Sequence, residues 1–188
     1  MPADTVGDTR PSDKSPVVAA VTFDQQGSQC LRQACQRAAH TGQPVIALHV
    51  VHENGRTAGH YLRSSSSRLV APISHIAKGM LDDFVSRVLS QKPTCCHGLE
   101  LRQLTVVGLP ARRISEIAAL TGADLLIMGG GRPKIGLQRL LSTSVTRAVL
   151  RNAPCPVLVI DAAGNPVDPE DLVPRGRGRT FPSMLQTH

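Results

Sequence analysis

Three consecutive glycines, Gly129-Gly130-Gly131, follow the apolar run Leu125-Leu126-Ile127-Met128 and precede a helical pattern that stops at Pro154. A bare backbone leaving a strand can approach a phosphate closely, and the helix that follows presents unpaired N–H groups that favour negative charge. The chemistry suited to this pattern is nucleotide binding, although any tight strand-to-helix turn can also use glycines. The other reactive side chains point elsewhere. His49 lies inside an apolar run, the usual place of a satisfied core histidine. His52 follows the same run, but no acid or second histidine is placed with it to form a catalytic pair. In Cys95-Cys96-His97 the adjacent cysteines cannot easily both point at one zinc, which predicts a loop without metal. The five cysteines are odd in number and scattered, so no disulfide framework is expected.

The elements that must position the glycines follow from hydrophobic periodicity. Val17 to Val21 and Val45 to Val51 are nearly continuous apolar runs, as for strands buried on both faces. Between them Cys30, Leu31, Ala34, Cys35, Ala38 and Ala39 recur at helical spacing, with Ser28 or its neighbours as the cap and Thr41-Gly42-Gln43-Pro44 as the stop. Residues 52 to 72 form an irregular basic loop. Ile73 to Leu89 repeats at three and four and predicts the most regular helix. Leu99 to Val107 roughly alternates, as for a strand near a sheet edge. Pro110 suits the first turn of a helix ending at Gly122. Asp124 to Met128 predicts the fourth strand, Leu137 to Val149 the last helix and Val157 to Ile160 the fifth strand. Five strands alternating with four helices predict an α/β fold with a parallel sheet covered on both faces. Ligands in such sheets bind beyond the carboxyl ends of the strands, where Thr22 to Asp24 and the three glycines both fall.

With 188 residues the chain suits one domain with tails, and 41% hydrophobic content with no Trp, one Tyr and three Phe implies an aliphatic core. Residues 1–15 and 162–188 have too little to bury and are expected to be disordered. No run is long enough to span a bilayer and the polar start lacks a signal pattern, so a cytoplasmic location is expected. Net charge is +7, and residues 16–161 alone carry 16 Lys and Arg against 8 Asp and Glu. That excess is diffuse and almost without aromatic residues for base stacking, which argues against nucleic acid as the partner.

Several blocks together are specific: Leu48-His49-Val50-Val51, Val107-Gly108-Leu109-Pro110-Ala111, Gly122 through Gly129, Gly136 through Leu141, and Ser144-Val145 followed by Val149 through Val159. Over residues 16–161 the sequence resembles the universal stress protein family. The resemblance implies a Rossmann-like domain of the adenine nucleotide alpha hydrolase type, with strand order 3-2-1-4-5. It also implies a stress-response role without general catalytic activity, and a homodimer. An apolar fifth strand at 157–160, without protective charge at a sheet edge, independently favours pairing with a twin.

Many members bind ATP, with magnesium, through an aspartate after the first strand and a pattern Gly-x-x-Gly-(nine residues)-Gly-Ser/Thr. Here Gly130, or equally Gly129, fills the first glycine, Pro133 the second and Thr143 the third, followed by Ser144 and Val145. Thr22 aligns with the aspartate, and Asp24 lies two residues on. Val50 and Met128 match apolar positions flanking adenine, while Gly131, Arg132 and Lys134 keep the turn open and basic. The implied function is a dimeric regulatory or protective module binding ATP or another adenine nucleotide. The alternative is a protein-interaction module of the same fold, without nucleotide, acting through unidentified protein partners.

Overall fold

The first strand is short and covered on both faces. Val17, Val18 and Ala19 have no exposed surface, and the strand ends at Ala20. The computed structural model describes residues 14–52, 73–91, 98–130, 138–168 and 172, with backbone alone at 73, 74 and 138–143. In chain order the elements are β1 (Val17–Ala20), α1 (Gln25–Thr41), β2 (Val45–His52), α2 (Ile73–Gln91), β3 (Leu101–Gly108), α3 (Pro110–Leu120), β4 (Leu125–Gly129), α4 (Gln138–Asn152) and β5 (Val157–Ile160). All strand pairs are parallel, in the order β3-β2-β1-β4-β5. The expected Rossmann-like α/β sheet is therefore present, with β3 and β5 at its edges.

Two aliphatic layers hold the helices to the sheet. On one face Cys30, Leu31, Ala34, Cys35 and Ala38 of α1 join Leu81, Phe84, Val85 and Val88 of α2 over alternate residues of the strands. On the other, Ile114 and Ala118 of α3 and Val149 of α4 cover Val18, Ile46, Leu48, Leu126, Met128 and Val159. The alternation of Val17 and Ala19 with Val18 across these layers is the period-two geometry of a strand. Helix ends follow local chemistry. Gly42 adopts φ 67 and its N–H closes on the Ala38 carbonyl at 2.7 Å, ending α1. Pro110 opens α3, as expected.

The start of α1 differs from the sequence expectation. Asp24, not Ser28, is the cap: its carboxylate accepts the Gly27 N–H at 2.8 Å, while the Ser28 amide and hydroxyl both donate to the Asp24 carbonyl. The choice is steric. α1 turns so tightly over the end of β1 that a Cβ on Gly27 would lie 1.8 Å from the Thr22 carbonyl oxygen.

Packing also continues past residue 161, the boundary expected for the domain. Ile160 bridges antiparallel to Pro166, Val167 packs on the α3/α4 layer, and Leu172 is buried there. Residues 162–168 thus pack against the domain through Pro166 and Val167. The rest of that tail except Leu172, residues 1–13 of the arm and the basic loop from 53 to 72 lie outside the described residues, as do Cys95-Cys96-His97.

Two glycine substitutions should move stability in opposite directions. Gly27→Ala is expected to lower unfolding free energy by about 3 kcal/mol, because the obstructing atoms are backbone. Gly79→Ala, on an exposed turn of α2 with open space around it, should raise it by roughly 0.5–1 kcal/mol. Urea titration of both variants checks the pair.

Candidate functional site

The candidate residues fall at the carboxyl ends of the adjacent strands β2, β1 and β4. β1 lies between the other two, with Ala20 opposite Leu48 on one side and Met128 on the other. The chain then leaves β1 toward α1 on one face, whereas β4 leads to α4 on the other. Strand order reverses at this pair, the place where sheets of this kind have their ligand crevice. Ala20 and Val50 are only half-buried in the α3/α4 layer, so a strip of apolar surface remains uncovered at the crevice end.

Thr22 and Asp24 sit at the mouth. Both are exposed, and the Thr22 hydroxyl donates to Asp24 Oδ1 at 2.8 Å, the same oxygen that accepts the Gly27 amide. Asp24 Oδ2 takes part in neither bond. Phe23 between them turns inward, stacking on His49 with centroids 4.1 Å apart and leaning on Phe84 at 5.6 Å. His49 Nδ1 meets the Val21 carbonyl at 2.9 Å. A carbonyl only accepts, so Nδ1 carries the proton, and burial holds the imidazole below its usual pKa. His49 is a neutral core residue that fixes the β1 end, as its place in an apolar run suggested.

On the β4 side, Met128 is buried, and Gly129 and Gly130 owe their lack of side chains to the protein itself. A Cβ on Gly129 would lie 2.6 Å from the Gln26 side chain, and one on Gly130 2.2 Å from Val159. The Gly130 amide is already bonded to the Ile160 carbonyl at 2.9 Å, which extends the ladder to β5. Thr146, almost wholly buried in α4, donates to the Gly129 carbonyl at 3.2 Å. Gly131 and Arg132 lie outside the described residues, with Pro133 and Lys134. Thr143 falls in the first turns of α4, where only backbone is described; Ser144 is exposed and Val145 packs on the α3/α4 layer.

Two residues missed by the sequence reading organise the site. Gln26 Nε2 donates to the carbonyls of both Gly130 (3.1 Å) and Ile160 (3.0 Å), tying α1 to the ends of β4 and β5. Gly27 lets α1 approach β1. Neither announces itself locally, because a glutamine in a helix's first turn and a glycine beside a cap are ordinary sequence. Among the described residues no three His, Cys, Asp or Glu cluster as metal ligands, and no helix is long and apolar enough to cross a membrane.

A model of the universal stress protein family matches residues 15–161. Universal stress protein MJ0531 of Methanocaldococcus jannaschii is 43% identical over 63 residues, a stretch covering 34% of this chain. That match spans about a third (36%) of the relative's length. Among solved structures, a universal stress protein in complex with cAMP aligns with a TM-score of 0.56 at 21% identity, covering 80% of this chain and 99% of the other. The universal stress protein from Archaeoglobus fulgidus in complex with dAMP gives 0.53 at 24% identity, covering 78% and 97%.

The depressed pKa of His49 sets a direction for pH dependence. The unfolded chain takes up a proton near the ordinary histidine value of about 6.5 while the folded chain resists it. His49 therefore favours unfolding as pH falls from about 6.5 toward its lower folded value, and stability above that window is unaffected by it. Urea midpoints at pH 7.5 and 5.5 should show this loss, and His49→Gln should diminish the difference between them.

Proposed function

The chain belongs to the universal stress protein family, and on that premise we propose that it is a cytoplasmic regulatory or protective module of the stress response that binds an adenine nucleotide. The observation that carries the reading is the Thr22–Asp24 pair at the mouth of the crevice. An ionised carboxylate only accepts, so the Thr22 proton is committed to Asp24 and the pair offers a ligand acceptor capacity: the hydroxyl's lone pairs and Asp24 Oδ2. Such a pair suits the amino group of adenine or the hydroxyls of ribose. The uncovered strip at Ala20 and Val50 suits the base.

The nucleoside end therefore fits the residues present. At the phosphate end the Gly130 amide is already committed to Ile160, so phosphate contacts in this proposal begin at Gly131 and run through Arg132 to Ser144. Met128, Gly129 and Gly130 precede that stretch, and Thr143 and Val145 flank the serine on α4. The same fold holds cAMP in one relative and dAMP in another, which supports the ligand class. ATP with its magnesium is the form toward which the glycine motif points. No catalytic step is included.

The second reading, a protein-interaction module without nucleotide, is favoured by Thr22, Pro133 and Thr143 at the altered motif positions. A homodimer through the strand at 157–160 belongs to the first reading, for the state in which that strand's outer edge is open.

Isothermal titration with ATP and AMP separates the two readings. Binding heat is expected, and Thr22→Val should weaken affinity roughly fivefold to tenfold, the worth of one hydrogen bond of about 1 kcal/mol. Absence of both heat and thermal stabilisation at millimolar nucleotide would sink the nucleotide reading and leave the interaction module.

A further inference from the structure

The C-terminal half of β5's outer edge is closed in this chain. Toward β4, the carbonyls of Pro156 and Ile160 accept from Leu126 and Gly130 at 3.0 and 2.9 Å. The alternate residues Val159 and Asp161 thus turn their backbone groups outward. Two of those groups are used by the chain itself: Val167 N–H donates to the Val159 carbonyl at 2.8 Å, and Asp161 N–H to the Asn165 carbonyl at 2.9 Å. This return segment forms the antiparallel bridge between Ile160 and Pro166.

The return is built, not draped. Asp161 Oδ1 accepts the amides of Ala163 (2.9 Å) and Asn165 (2.8 Å), which fixes the turn, and Gly164 passes through it at φ 92. The Gly164 carbonyl takes Gln33 Nε2 from α1 at 3.4 Å. Further on, Val167 packs on the opposite layer, Leu172 is buried there, and Arg147 of α4 donates to the Leu172 carbonyl. Residues 161–167 therefore cross the sheet edge from the α1 side to the α4 side.

A strand with no charged side chain between Val157 and Ile160 is a liability at an edge. An identical strand from a second copy, pairing antiparallel about a two-fold axis, would need the outward groups of Val157 and Val159, and the Val159 carbonyl is already taken by Val167. Both cannot have it. We propose that residues 161–168, anchored at Leu172, are an intramolecular edge cap that competes with a second copy of this chain for β5, so that the strand-paired dimer forms only when the cap leaves. The inference rests on the dimer part of the function proposed above and is independent of nucleotide.

Sedimentation velocity over a micromolar concentration series tests it on the full chain, on Val167→Pro, which lacks the capping N–H, and on Leu172→Asp, which unseats the anchor. A deletion of 162–188 serves as the limiting case. Each dimer needs two caps displaced, so the variants should dimerise at least about tenfold more tightly than the full chain. Equal dimerisation constants for full chain and variants would overturn the cap while leaving the dimer standing. Monomers throughout would overturn both.

Discussion

The pairing of β1 with β4 is the contact on which the remaining structure depends. It joins segments far apart in sequence, Val17 opposite Leu125 through Ala20 opposite Met128, and it is the place where strand order reverses. Because the two strands lie in the middle of a sheet with helices on both sides, their residues must be apolar on both faces, which is why β1 and β4 read as unbroken aliphatic runs. The same pairing brings the β1–α1 turn beside the glycines after β4. Without it, Thr22 and Gly130 would have no relation to each other.

Polar groups around the crevice are committed in a way that limits what a ligand can find there. The Asp24 carboxylate serves first as a helix cap and second as a partner for Thr22. Gln26 occupies the space beside Gly129 and satisfies two carbonyls at strand ends. His49 is held neutral within the core, and burial, with a smaller contribution from Asp24, pushes the Cys30 thiol up to about 12, which keeps it in its unreactive protonated form. What remains available is acceptor capacity at the mouth and apolar surface along Ala20 and Val50. That combination is what the proposed nucleotide reading rests on.

Edges pose the complementary problem. A parallel five-stranded sheet leaves two, and the apolar one at β5 is partly closed by the chain's own continuation. Leu172 stands within ordinary contact distance (3.4 Å) of the position a Cβ on Gly130 would occupy, and Arg147, next to Thr146, holds its carbonyl. Edge cover and glycine turn are thus packed on one another through α4 and β5. The proposed edge cap and the candidate site share a short stretch of structure.

Local chemistry made much of this legible. Apolar runs placed all five strands to within two residues, helical spacing placed the buried faces of α1 and α2, Pro110 and Gly42 marked helix ends, and ordered motif blocks identified the family and hence strand order. The candidate residues Thr22, Asp24, Val50, Met128, Gly129 and Gly130 do come to the ends of three adjacent strands. What was hidden is what depends on partners distant in sequence. Ser28 was a reasonable cap until α1 is seen pressed against the Thr22 carbonyl, which hands the role to Asp24. The bridging of Gln26, the packing reason for Gly130 and the cover over β5 each need two or more elements already in place. Sequence determined the elements and their chemistry, because periodicity and turn preferences act over a few residues. Tertiary structure alone decided which hydrogen-bonding groups are spent on the protein and which are left for a partner, because that accounting is settled only by contacts between elements.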